Sequence, residues 1–136
     1  MKLSTLLICL SLSVSVLAGT TKPIVGWATY YTKASAKSEG TSGTTMASNK
    51  PYDESKMTCA LPFHPPIKSN RRQWGKSYRV VNIKNGKSVI VKHYDYGPGK
   101  KARSNGVVID LTPAAFKALG AELRQGRVKV RVERVR

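Results

Sequence analysis

Acidic residues are scarce in this chain: seven aspartates and glutamates stand against 24 lysines and arginines, for a formal charge of +17. That imbalance argues against a cationic partner and points to a polyanion, whether a wall polymer, an anionic membrane surface or nucleic acid. Cysteine is nearly absent, with only Cys9 and Cys59. Once Cys9 is assigned to the N-terminal apolar run, no intramolecular disulfide is possible, and core packing alone must hold the fold. Cys59, in Met57-Thr58-Cys59-Ala60-Leu61, reads as a small buried apolar residue rather than a nucleophile. The two histidines, His64 and His93, show no metal-ligand spacing with Cys59. No zinc site and no cofactor are therefore expected. A Gly-rich phosphate loop, a Gly-x-Ser-x-Gly elbow and solenoid repeats are all missing.

Long hydrophobic runs are also lacking, with one exception. Leu3 to Leu17 follows Met1-Lys2 and leads into Ala18-Gly19. The run is short for a bilayer span, so residues 1–18 read as a secretory signal peptide. The apolar stretch before Cys9 is brief and continues past it, so a lipid anchor is not expected there. Residues 19–136 are of a length for a single domain with a modest core. We expect a monomer without a transmembrane segment, secreted or periplasmic and associated with the cell wall.

What is present is strand after short strand. Ile24 to Tyr31 is rich in β-branched and aromatic residues and follows Pro23, which predicts the first strand. Thr32 to Thr45 is polar and aperiodic and is expected to be a mobile loop. Met57 to Leu61 predicts a short buried strand, and the prolines from Pro62 to Pro66 exclude a helix. Tyr78 to Ile83 and Ser88 to Tyr94 flank Asn85-Gly86, the signature of a β-hairpin. Val107 to Leu111 predicts another buried strand. Thr112 as N-cap, Pro113 at the first helical position and Gly120 beyond the end predict a short helix that packs Ala115, Phe116 and Leu119 on the sheet. In Gly126 to Arg136, valine alternates with charge, predicting a strand with one buried and one very basic face. The sum is an all-β domain, closed into a small barrel, with one short helix.

The strand from Val89 to Tyr96 runs into Gly97-Pro98-Gly99 and holds Asp95 between two tyrosines. A carboxylate at a barrel rim is a candidate general acid or base, although aspartates in turns also bond their own amides. Asp110 ends a buried strand just before a capped helix and reads as structural. His93, two residues from Asp95, is a candidate acid–base partner or a satisfied surface imidazole. Glu39, Asp53 and Glu54 lie in loops, and two-carboxylate sugar chemistry would need one of them near Asp95.

Taken in order, Gly26-Trp27-Ala28-Thr29-Tyr30-Tyr31, Thr45 to Asp53, Met57-Thr58-Cys59-Ala60, Tyr78 to Val89, Asp95-Tyr96-Gly97-Pro98 and Val108 to Phe116 resemble the blocks of the rare lipoprotein A family. The resemblance implies a six-stranded double-psi β-barrel. It further implies a lytic transglycosylase that cuts peptidoglycan strands without water. A similar pattern in the first domain of bacterial expansins, which loosen walls without hydrolysis, matches Thr29 and Asp95. The partner implied is peptidoglycan or another anionic cell-wall polysaccharide, with Asp95 as the catalytic residue. Trp27, Tyr31, Tyr94 and Tyr96 would offer stacking surfaces beside Thr29. The family's glutamate and histidine positions fall on Lys50 and Ala60, with Glu54 and His64 a few residues away as substitutes. That departure keeps open a non-catalytic, expansin-like wall-binding module. No recognisable nucleic-acid module is present, so specific nucleic-acid binding is not expected.

Overall fold

A computed structural model describes residues 22–62 and 73–136; the segment 1–18 expected to be a signal peptide, and His64, lie outside them. Six strands close a barrel: β1 (Ile24–Tyr30), β2 (Thr58–Leu61), β3 (Ser77–Asn82), β4 (Ser88–Tyr96), β5 (Val107–Leu111) and β6 (Val128–Arg134). Around the barrel the order is β1-β5-β2-β4-β3-β6. Two of the pairings, β1 with β5 and β2 with β4, are parallel, and the others are antiparallel.

The local chemistry explains the elements. Asn82 and Lys87 close the β3–β4 hairpin, with the Asn82 amide donating to the Lys87 carbonyl at 2.8 Å. Gly86 supplies the positive φ of 75° that this turn needs. In β6 the valines at 128, 130 and 132 are buried while Lys129 and Arg131 are exposed, as the alternation predicts. Leu61, Ile109, Leu111 and Phe116 are fully buried. Each contributes about 1.5–3 kcal/mol of burial energy. Cys59 is buried as expected, and burial pushes its thiol well above the usual range, which leaves it unreactive.

The single predicted helix forms as α3 (Pro113–Ala118), with two other short helices ahead of it in the chain. Its cap Thr112 accepts from the Ala115 amide at 3.3 Å and donates to the Lys56 carbonyl at 2.6 Å. The Phe116 ring sits 5.0 Å from that of Tyr30. The helix count needs correction, because α1 (Lys33–Ser38) occupies the stretch expected to be a mobile loop and α2 (Lys100–Ser104) follows the Gly-Pro-Gly turn. Neither buries a residue, so neither shows an apolar period. A capping box forms α1: the Ser35 amide donates to the Thr32 hydroxyl at 3.0 Å and the Thr32 amide to the Ser35 hydroxyl at 2.8 Å. Among the described residues no helix is long and apolar enough to cross a membrane.

Both parallel pairs carry a register shift, between Trp27 and Ala28 on β1 and between Cys59 and Ala60 on β2. Such irregularities bend a strand and re-aim the side chains that follow. Close approach at this level is tight: a Cβ on Gly26 would lie 2.4 Å from Val108 Cγ1 and 2.9 Å from the Gly106 carbonyl oxygen. Gly26→Ala is accordingly expected to destabilise the barrel by about 1–3 kcal/mol. Urea unfolding should show the lower midpoint at an unchanged slope.

Candidate functional site

Ala60 on β2 is the geometric centre of the site. It pairs in register with Asp95 on β4 and with Asp110 on β5. In-register neighbours face the same side of a sheet, and two strand spacings place the aspartate Cα atoms about 10 Å apart. Between them opens a groove of about 670 Å³ whose lining includes Thr29, Tyr31, Ala60, Asp95, Tyr96 and Asp110. Glu39 and Arg103 stand at its edge, and the Arg103 guanidinium donates to the Pro98 carbonyl at 3.0 Å.

Asp110 sits deep. Burial pushes its carboxyl up to about 6, the Glu39 and Asp95 charges add to the rise, and a hydrogen bond from Thr29 partly offsets it. The Thr29 hydroxyl donates to Asp110 Oδ1. Room for the other oxygen comes from Gly97, where a Cβ would stand 2.9 Å from Asp110 Oδ2. A carboxyl that holds its proton toward neutrality, beside an open groove, is equipped as a general acid.

Asp95 is bound more extensively. Its Oδ1 accepts from the Ala47 amide at 3.0 Å and from the Tyr96 amide at 2.9 Å, and its Oδ2 accepts from the Tyr31 hydroxyl at 3.0 Å. It therefore bonds its own turn and also clasps two distant segments. Burial, and then the Asp95 charge, raise the Tyr31 hydroxyl far above the ordinary tyrosine range. Tyr31 stacks on Tyr52 at 4.5 Å, and the Tyr52 hydroxyl donates to the Tyr31 carbonyl at 2.5 Å.

The structure gathers Thr29, Tyr31, Asp95 and Tyr96 and places the other described candidates elsewhere. Trp27 lies outside the groove, with the Arg127 guanidinium 4.2 Å and the Lys129 ammonium 4.9 Å from its ring. Tyr94 is also outside, under the Lys50 ammonium at 5.2 Å. His93 is buried rather than at the surface; its Nε2 lies 2.9 Å from the Asp95 carbonyl oxygen and its ring 4.8 Å from Trp74. Desolvation lowers its pKa, so it supports the strand in its neutral form. Glu54 accepts from the Lys33 amide at 2.8 Å and anchors α1. Exposed Asp53 binds the Ser55 amide at 2.9 Å and the Ser55 hydroxyl at 2.6 Å.

Asp110, read from the sequence as a structural strand end, also lines the groove together with Asp95 and Glu39. Its sequence signal was an ionisable residue inside the apolar run Val107-Val108-Ile109-Asp110-Leu111. Among the described residues no three His, Cys, Asp or Glu side chains gather as metal ligands.

A closed six-stranded barrel with two shifted parallel pairs, and a groove where those pairs meet, defines a double-psi β-barrel. No protein-family profile matches the chain. Over 111 residues it is 32% identical to a probable endolytic peptidoglycan transglycosylase RlpA of Nostoc sp., a match covering 79% of this chain and 24% of that protein. The chain thus spans about a quarter of the length of that curated relative. Among solved structures, Streptomyces papain inhibitor superposes with a TM-score of 0.61 at 27% identity, covering 87% of this chain and 98% of that one. A Clavibacter michiganensis expansin superposes with a TM-score of 0.60 at 24% identity, over 85% of this chain and 51% of that one. A mutant of that expansin in complex with cellohexaose gives the same TM-score of 0.60 at 23% identity. The chain is therefore similar to RlpA over most of its length and has the double-psi β-barrel fold that it shares with the bacterial expansin.

The raised pKa of Asp110 carries a stability consequence. The folded state holds the proton more tightly than the unfolded chain, whose carboxyl titrates near 3.8. Its contribution is therefore fully present below the unfolded value and is lost as pH rises through about 6. Asp110→Asn keeps the acceptor for Thr29 and removes the ionisation. The variant should gain on the order of 2 kcal/mol over wild type at pH 7 and little at pH 4, read from denaturant midpoints at the two pH values.

Proposed function

We propose that this is an exported protein that acts on cell-wall polysaccharide, with residues 1–18 as its export signal and residues 19–136 as the working domain. Its substrate is peptidoglycan and its chemistry is of the lytic transglycosylase type. The observation that carries this reading is the protonatable Asp110 facing Asp95 across Ala60, in a groove that includes Tyr31 and Tyr96. The similarity to a peptidoglycan transglycosylase and to an expansin solved with cellohexaose supports the same substrate class.

In the proposed reaction Asp110 gives its proton to the glycosidic oxygen between N-acetylmuramic acid and N-acetylglucosamine. The bond from that oxygen to the muramyl C1 breaks, and the muramyl 6-hydroxyl oxygen bonds to C1. Asp95 accepts the proton released from that hydroxyl. The products are a free 4-hydroxyl on the glucosamine and a 1,6-anhydro ring, with no water consumed. Tyr96 and Tyr31 place aromatic surface beside the sugar.

A second reading, binding and loosening without cleavage, is favoured by two positions. The family resemblance places a histidine at Ala60, where a methyl group stands between the two aspartates, and a glutamate at Lys50, which lies over Tyr94 outside the groove.

Product analysis separates the two. Purified peptidoglycan incubated with the protein should yield anhydro-muropeptides by mass spectrometry, and Asp110→Asn and Asp95→Asn should each abolish them. The rate should decline on the alkaline side of about pH 6 as Asp110 loses its proton. Pull-down of the protein by peptidoglycan with no anhydro product at any pH would replace cleavage with the second reading.

A further inference from the structure

The outward face of β4, β3, β6 and the first half of β1 is a basic sheet that the groove does not use. Its rows follow from the register. Arg79 on β3 pairs with Ile90 on β4 and with Glu133 on β6. Val81 pairs with Ser88 on one side and Arg131 on the other, and Arg131 pairs onward with Val25 on β1. Lys129 pairs with Trp27. Lys92 on β4 and Arg127, just before β6, extend the positive field. Arg79, Lys92, Arg127, Lys129 and Arg131 are all exposed. Among the described residues Glu133 is the one acid in these rows, and it is engaged by the Arg131 Nε at 2.8 Å.

Between the cations the face is apolar. Val25 is 57% exposed and Ile90 43% exposed. Lys129 and Arg131 alternate along one strand, so their side chains rise about 6.6 Å apart, and neighbouring strands add further rows at about 4.8 Å.

We propose that this face is a second polysaccharide-binding surface, one that holds an acidic glycan by its carboxylates and by the apolar faces of its sugar rings. The inference rests on the wall-polysaccharide reading above for the class of partner, and it is independent of cleavage. Isolated apolar side chains separated by arginine and lysine match a polymer that alternates C–H surface with carboxylate. A bilayer would demand a contiguous apolar patch or a free aromatic wedge, whereas the Trp27 ring is covered by Arg127 and Lys129. Trp27 and Thr29 stand two residues apart on β1, and Thr29 borders the groove. A strand laid on the sheet therefore reaches the groove along β1, so the face acts as a track that leads the polymer to the groove.

The test uses the Asp110→Asn protein as background, so that retention is read without turnover. Polygalacturonate is the acidic probe and chitohexaose the neutral one, both titrated calorimetrically near 0.15 M salt. The face variant Arg79→Gln/Lys129→Gln/Arg131→Gln should bind polygalacturonate about tenfold or more weakly, as expected for losing three charge-assisted contacts. It should leave chitohexaose binding unchanged. The variant Lys37→Gln/Lys56→Gln/Lys117→Gln removes the same charge from exposed positions elsewhere and should stay within about threefold of the parent. Arg79→Lys/Arg131→Lys keeps the charge and guards against misfolding as the cause; it too should retain binding.

Equal losses in the two glutamine variants would overturn the proposal in favour of diffuse attraction. Unchanged binding in the face variant would also overturn it. So would wild-type capture by phosphatidylglycerol vesicles without polygalacturonate binding. A protein that binds polygalacturonate through this face yet releases no anhydro-muropeptides would refute the cleavage reading alone.

Discussion

Strand β2 is four residues long, and the site depends on where it lies. It pairs in parallel with β4 and antiparallel with β5, so a single small residue, Ala60, has an aspartate on either side. The shift just before Ala60, matched by the shift before Ala28 on β1, turns the following side chains toward one rim. Everything in the groove follows from that row. Thr29 reaches Asp110 from β1, and Gly97 leaves the volume that the Asp110 carboxyl fills.

The two carboxylates are treated unequally by their surroundings. Asp95 is met by two backbone amides and a phenol, so its fixed position ties the turn after β4 to the 47 segment and to the end of β1. Asp110 receives one side-chain hydrogen bond and little solvent, which favours its neutral form. Placing such groups side by side costs stability at neutral pH, and the fold bears that cost with a core of valine, leucine and isoleucine free of disulfides. Burial thus favours the protonated form of Asp110 on one side of a groove that Asp95 lines on the other.

The rest of the surface follows a different logic. With a net charge of +17 the chain repels itself, and the distribution of that charge matters more than its sum. On the outer sheet the register brings Arg79, Arg131 and Lys129 into adjoining rows with valine and isoleucine between them. Helices α1 and α2, which bury nothing, stand instead beside the groove through Ser35, Ala36 and Ala102.

The strands, the Asn-Gly hairpin, the capped helix α3 and the two-faced β6 were legible in the sequence because each rests on a short-range rule: alternation, turn chemistry or a cap. The family resemblance supplied the double-psi closure, which periodicity alone does not encode. Asp95 was legible too, as a lone carboxylate before a Gly-Pro-Gly turn. What tertiary structure decided was company. Asp110 and Asp95 are 15 positions apart in the chain, and only the pairing of β2 with both their strands brings them to one groove. His93, close to Asp95 in sequence, was placed inside the barrel by the strand's alternation, and Glu54 was drawn away to hold α1. Sequence alone determined which residues could carry a charge or a proton; the long-range strand pairing decided which carboxyl lost its water, and desolvation is a property of the assembled neighbours.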